Sequence, residues 1–172
     1  IRDSHPVLND RFYRIVVNGQ QLNTMTKLTE QDYDRISKYQ KKLPLPIEVR
    51  DPDKDDRAKN ALSKDGYILI CPPSAYVCNF YGIKSAAAWL KDKTEEIIKH
   101  TDRHIIVREK TSNADLNDQI YGAWAVVTCQ STVAIKAIMS GVPSFCDEMS
   151  CALPLSLSDL SLIENPKRPS IK

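Results

Sequence analysis

The stretch from Trp124 to Phe145, WAVVTCQSTVAIKAIMSGVPSF, constrains the fold most, because an apolar run, a polar turn, an amphipathic segment and a second apolar start follow one another without a gap. Ala125, Val126 and Val127 read as a buried strand, with Thr128 to Gln130 as its polar exit. Ser131 or Thr132 is placed to cap a helix whose Val133, Ala134, Ala137 and Ile138 fall on one side. Gly141 supplies the stop, and Val142-Pro143-Ser144-Phe145 enters another extended segment. A strand, helix and strand joined this tightly form a right-handed crossover, which belongs in a mostly parallel sheet.

The rest of the chain extends the same pattern. Tyr67 to Cys71, YILIC, is a continuous apolar run suited to a strand buried on both faces, and Pro72-Pro73-Ser74 stops it before a loop to about Gly82. Ser85 is placed to cap a helix through His100, with Ala86, Trp89, Leu90, Ile97 and Ile98 for its buried side, and Thr101-Asp102 breaks it. His104 to Val107 is the next strand, and a short helical or irregular piece around Leu116 to Tyr121 returns the chain to Trp124. After Phe145 a polar loop from Cys146 to Ser150 leads through Ala152 to Leu157, and Asp159, Leu160 and Ile163 mark a brief helix before the irregular Pro166-Lys-Arg-Pro end. Strand, helix, strand, short helix, strand, helix, strand predicts an α/β fold, a Rossmann-like, mostly parallel sheet with helices on both faces, over residues 65–172.

Residues 1–64 read differently, as an incomplete N-terminal segment or linker region. Phe12 to Val17 is an expected strand followed by the Asn18-Gly19 turn, and Thr29 with Asp32 marks the start of a helix that Leu43-Pro44-Leu45-Pro46 ends. Arg50 to Lys64, dense in Asp, Lys and Arg, reads as a solvated linker or loop.

Composition narrows the function. With 24 basic and 22 acidic side chains the net charge is +2, so no global field marks nucleic acid as the partner of this part of the molecule. No apolar run approaches the roughly 18 residues of a membrane span, and no basic start with an apolar core marks a secretory signal. Five cysteines, Cys71, Cys78, Cys129, Cys146 and Cys151, have neither metal-site spacing nor an even count, which fits a reducing, cytoplasmic setting. No metal site is expected from His5, His100 and His104: the last two stand four apart, but Thr101-Asp102 separates them into a helix end and a strand.

A ligand of a doubly wound sheet lies outside the carboxyl ends of the strands. Three exits meet there: Pro72 to Ser74, Arg108 to Lys110, and Cys129 to Thr132. Hydroxyls and amides at a helix start suit a phosphate, and Arg108 and Lys110 add cationic donors, the arginine through two parallel hydrogen bonds. Taken singly, Ser131 or Thr132 need do no more than cap a helix, and Arg108 and Lys110 need be no more than solvated charge; their shared edge is what favours a ligand. Asp147 or Glu148, after the last strand, can accept from sugar hydroxyls or serve as loop charge. No glycine-rich dinucleotide fingerprint, phosphate-loop Gly-Lys-Ser/Thr or Gly-flanked serine elbow is present, and no catalytic base stands out.

Tyr67 to Ser74, Ile105 to Lys110 and Ala125 to Phe145 together resemble the C-terminal nucleotide-sugar-binding domain of GT-B-type glycosyltransferases, in particular the capsular-polysaccharide and phage-like branches. The matching positions are Arg108, Ser131, Thr132, Ala137, Ile138, Gly141, Val142 and Pro143, with Asp159-Leu160-Ser161, Ile163-Glu164 and Pro166 in the tail. The resemblance implies a transferase whose donor is a nucleotide-diphosphate sugar. Ser131 and Thr132 would hold the diphosphate, Arg108 and Lys110 neutralise it, Ser74 close the phosphate side, and Asp147 or Glu148 meet ribose or sugar. No metal or other cofactor is implied, and the acceptor and the base would come from a further N-terminal domain. On that expectation the chain, which begins at Ile1, is a C-terminal fragment or an independent domain. It departs from the pattern at Glu109-Lys110, where many members carry His-Pro, and after Pro143, where the Gly-Gly-x-x-Glu loop of many relatives is absent. The alternative is a non-catalytic small-molecule or protein-binding module on the same fold.

Overall fold

The computed structural model describes residues 50–166, the strand backbone of β1 (Arg2–Ser4) and β2 (Tyr13–Ile15), and helical residues Glu30, Gln31 and Asp34. β1 and β2 pair antiparallel, and β2 falls inside the strand expected from Phe12 to Val17. The turn at Asn18-Gly19, the rest of the first expected helix with its stop at residues 43–46, and the chain end after Pro166 lie outside the described residues.

From residue 50 the elements run α1 (Asp56–Leu62), β3 (Tyr67–Cys71), α2 (Ala75–Tyr81), α3 (Ala86–Ile97), β4 (Ile105–Val107), α4 (Leu116–Tyr121), β5 (Ala123–Thr128), α5 (Val133–Met139) and β6 (Ser144–Cys146), then two single-turn 3₁₀ helices at Leu153–Leu155 and Leu160–Leu162. The sheet order is β4-β3-β5-β6 and every pairing is parallel, so the fold is the α/β, Rossmann-like arrangement with helices on both faces. The chain leaves β3 toward β4 on one side, then crosses back over β3 to lay down β5 on the other. The connections leaving β3 and β5 therefore run to opposite faces of the sheet, and the position between these two strand ends is the topological switch point.

Alternation along the strands sorts the core into two layers. Ile68 and Ile70 of β3 with Ala125 and Val127 of β5 pack under Trp89 and Ile97 of α3 and under Leu160 and Ile163, all buried. Leu69, Cys71 and Val126 pack on the other face, against Ile120 of α4 and Ala137 of α5. One irregularity interrupts the alternation: Tyr67 partners Ala123 while Ile68 partners Ala125, which leaves Trp124 as an extra, bulged residue. Trp124 and Ala125 consequently pack against the same layer.

Helix ends follow the local chemistry. Ser85 Oγ accepts from the Ala88 amide at 3.0 Å and starts α3 as expected, but the helix closes at Ile97 and not at His100. Ile98 is therefore 59% exposed and not part of the buried side. Gly141 takes φ +67° after α5, a left-handed conformation that costs a side-chain-bearing residue and that frees the chain to enter β6.

Two expectations are corrected. The loop expected from Pro72 to Gly82 contains α2, started by Ser74, whose Oγ accepts from Val77 N at 3.4 Å, and stopped by Gly82 at φ +68°. The segment read as a solvated linker, Arg50 to Lys64, contains α1, capped by Asp55 and docked through Ala58 and Ala61, both buried. Its acidic and basic side chains face outward, and the residues that pack inward are alanines, too small to mark an apolar face in the sequence. Arg50 is itself buried, with Nη1 donating to the carbonyls of Tyr121 at 2.9 Å and Ala123 at 2.5 Å. No helix among the described residues is long and apolar enough to cross a membrane.

Candidate functional site

The carboxyl ends of β3, β5 and β6 are tied to one another. Thr128 Oγ1 donates to the Cys71 carbonyl at 2.8 Å, and the Asp147 amide donates to the Cys129 carbonyl at 2.9 Å. The first bond spans the switch point between β3 and β5, and the second ties the exit of β6 to that of β5. Cys71 and Cys129 line this end as buried thiols: burial pushes Cys71 up to about 11 against the opposing charge of Arg108, and burial with the nearby Asp147 carboxylate pushes Cys129 higher still. Burial thus favours the protonated thiol at both positions.

Arg108 follows β4 on the face shared by α4 and α5. Its Nη1 donates to the Ala114 carbonyl at 2.8 Å and to Gln119 Oε1, bracketing the N-terminal cap of α4. Among the described residues its Nε and Nη2 have no hydrogen-bond partner. Ser131 and Thr132 stand at the start of α5 on the same face. Ser131 Oγ accepts from the Val133 amide at 3.2 Å, so its hydroxyl does serve the helix start, whereas Thr132, the N-cap residue, makes no side-chain cap bond. β3 lies between β4 and β5, which puts the exits carrying Arg108 and Ser131 about 10 Å apart along one edge.

The other expected residues are distributed around this pair. Ser74 begins α2, on the opposite face of the crevice. Lys110 and Glu148 are exposed. Asp147 turns toward α3, where Oδ2 accepts from Trp89 Nε1 at 2.9 Å and Oδ1 pairs with Lys93 Nζ at 3.2 Å. Asp147→Ala is expected to cost about 1–2 kcal/mol in urea denaturation and to change Trp89 emission, since it removes a charged acceptor from a buried donor. Unchanged stability and emission would show the contact to be idle.

Two residues at this edge have roles that the sequence does not signal. Gln130, buried at the exit of β5, accepts from Tyr81 Oη at 3.4 Å and so links that exit to α2. Gln119 braces Arg108 from eleven residues away, across a loop whose path no periodicity encodes. A separate open groove of about 520 Å³ runs along α1 at the amino edge, lined by Asp56, Arg57, Lys59, Asn60, Ser63 and Asp65, and its mixed charges select neither anion nor cation. No cluster of three or more His, Cys, Asp or Glu able to hold a metal occurs among the described residues.

Comparison with protein-family models, with curated proteins and with solved structures finds no match. The class defined by the coordinates is that of a small parallel α/β sheet with flanking helices, Rossmann-like in arrangement.

Proposed function

We propose that residues 65–172 form the donor-binding part of a glycosyltransferase, one that takes its sugar from a nucleotide diphosphate. The observation that supports this reading most is the state of Arg108: one guanidinium nitrogen is spent on Ala114 and Gln119, which leaves the Nε–Nη2 edge for an anion on the face where α5 begins. Ser131 and Thr132 would meet one phosphate through hydroxyl and backbone groups, with Lys110 adding charge and Ser74 closing the far side of the crevice. Of the two carboxylates after β6, Glu148 is the exposed one and Asp147 is engaged by Trp89 and Lys93, so Glu148 is the better sugar contact.

The mechanism in this reading is leaving-group stabilisation. As the glycosidic bond breaks, negative charge grows on the diphosphate, and a fixed guanidinium with hydrogen-bond donors offsets it more than it offsets the ground state. The acceptor and the base that deprotonates it would come from a second domain facing the carboxyl edge. Calorimetric titration with UDP, GDP and CMP tests the reading: one of them is expected to bind, and Arg108→Ala is expected to weaken it about 10- to 100-fold, the range for a charge-assisted hydrogen-bonded pair. Absence of heat with all three nucleotides would contradict it.

A second reading is favoured by one observation. Tyr76 and Phe80, one helical turn apart on α2, are 64% and 43% exposed, which suits a module that presents α2 to a partner. Nucleotide binding with intact Arg108 dependence would set this reading aside.

A further inference from the structure

Resting on the nucleotide-diphosphate reading, we propose that Gln119 is a positioning residue for Arg108, holding the guanidinium so that its Nε–Nη2 edge faces a phosphate at the carboxyl edge. An arginine on a strand exit ordinarily samples many rotamers and must lose them when an anion arrives. Here the loss is taken in advance. Nη1 is fixed by two acceptors, the Ala114 carbonyl and Gln119 Oε1, that lie on either side of Asp115, the N-cap of α4.

Gln119 is a firm anchor. Its amide donates to the Asp115 carbonyl at 3.2 Å, its carbonyl accepts from Tyr67 Oη at 2.7 Å, and Tyr67 belongs to β3, the strand adjoining β4. Through Gln119 the brace refers Arg108 to the sheet as well as to its own loop. An electrostatic trace of the same arrangement appears at Cys71: burial raises the thiol, and the nearby positive charge of Arg108 acts against that rise. The Arg108 amide donates to the Ile70 carbonyl at 2.8 Å, which seats the residue beside the end of β3. Lys110, exposed two residues further on, has no bonded partner among the described residues and acts only as diffuse charge.

The residue type matters. Glutamine accepts from Arg108 without adding charge, so the full positive charge stays available to the ligand. Glutamate would brace equally well and cancel that charge. Leucine would fill similar space and brace nothing. The two substitutions therefore separate orientation from charge, and because Tyr67 bonds to the backbone of residue 119, neither removes the attachment of α4 to β3.

The test uses the chain as it stands, inorganic pyrophosphate as the probe, and two readouts: binding by calorimetry and the ¹⁵N-detected guanidinium signals of Arg108. In the wild-type protein, restricted rotation is expected to give resolved Nη signals and measurable pyrophosphate binding. Gln119→Leu is expected to merge the Nη signals and weaken binding about tenfold, the loss corresponding to one side chain that must now be ordered on binding. Gln119→Glu is expected to keep the resolved signals while binding pyrophosphate more weakly than wild type. If Gln119→Leu leaves both signals and affinity unchanged, the brace is refuted while the phosphate site stands. If the wild-type protein binds no pyrophosphate, the site itself is refuted, and with it the purpose assigned to the brace.

Discussion

Arg103→Ala is expected to lower the stability of the fold by about 3 kcal/mol, read as a shift of the urea midpoint at unchanged slope. The Arg103 side chain is 8% exposed and uses every face of its guanidinium. Nε and Nη2 donate to the two oxygens of Glu164 at 2.9 and 3.2 Å, and Nη1 donates to the carbonyls of Ser63 at 2.6 Å, Lys64 at 3.3 Å and Gly66 at 3.0 Å. The plane itself lies over the Trp124 ring, 3.8 Å from its centroid. Truncation would orphan several carbonyls and a carboxylate at once, and partial exposure of Glu164 keeps the expected loss at the lower end of the range for a buried pair. Arg103→Lys should recover only part of it, since an ammonium reproduces neither the fork nor the stacking. A loss under about 1 kcal/mol for the alanine variant would show that the clamp is dispensable.

The same cluster has a pH signature. Burial pushes the Glu164 carboxyl up, but the Thr101 hydroxyl and the Arg103 guanidinium outweigh it and hold the group below its ordinary value of 4.5. The folded state then binds a proton less readily than the unfolded one, so this contribution is complete above about 4.5 and fades as pH falls through the folded value. Glu164→Gln should accordingly be less stable than wild type at neutral pH and converge with it on acidification below 4.5.

Gly66→Ala is expected to cost about 2–3 kcal/mol, because a Cβ there has nowhere to go. It would sit 2.1 Å from the Ala61 carbonyl oxygen and 2.9 Å from its carbon, both backbone atoms of α1 that no rotamer change can clear. α1 would have to lift from β5 and α4, loosening the buried Ala58 and Ala61. Limited trypsin digestion supplies an independent readout: cleavage at Arg57, Lys59 or Lys64 should accelerate in the variant, and an unchanged digestion rate with an unchanged midpoint would mean that α1 is not docked as described. Since Gly66 also gives its carbonyl to Arg103, the two substitutions disturb one structure and their costs should sum to less than the separate values.

These contacts also mark the limit of what the sequence discloses. The β5–α5–β6 unit is legible because each signal is local and large: a run of Ala and Val, a hydroxyl-rich exit, a helical apolar side and Gly141. β3 is legible for the same reason. α1 is not, because its inward residues are alanines among charges. α2 is not, because Pro72-Pro73 reads as a break and its aromatic residues face outward, although Ser74 and Gly82 supply a start and a stop that outline it. The bulge at Trp124 and its stacking on Arg103 require contacts between segments far apart in the chain, which periodicity does not carry. At the carboxyl edge, the parallel order that the crossovers imply is enough to put the exits after Val107 and Thr128 on one edge of the sheet, but what fixes Arg108 comes from Gln119 on a helix reached only after an irregular loop.

The account rests on that rim acting as a single anion site, and amide and guanidinium shift mapping of ¹⁵N-labelled protein with UDP, GDP or CMP addresses it most directly. The expected result is that one nucleotide moves the backbone signals of residues 130–133 together with the Nε–H of Arg108, along one binding curve, and that Arg108→Ala abolishes the response at both places. Shifts confined to the exposed side of α2, or to the groove along α1, with Arg108 and Ser131 silent, would contradict it.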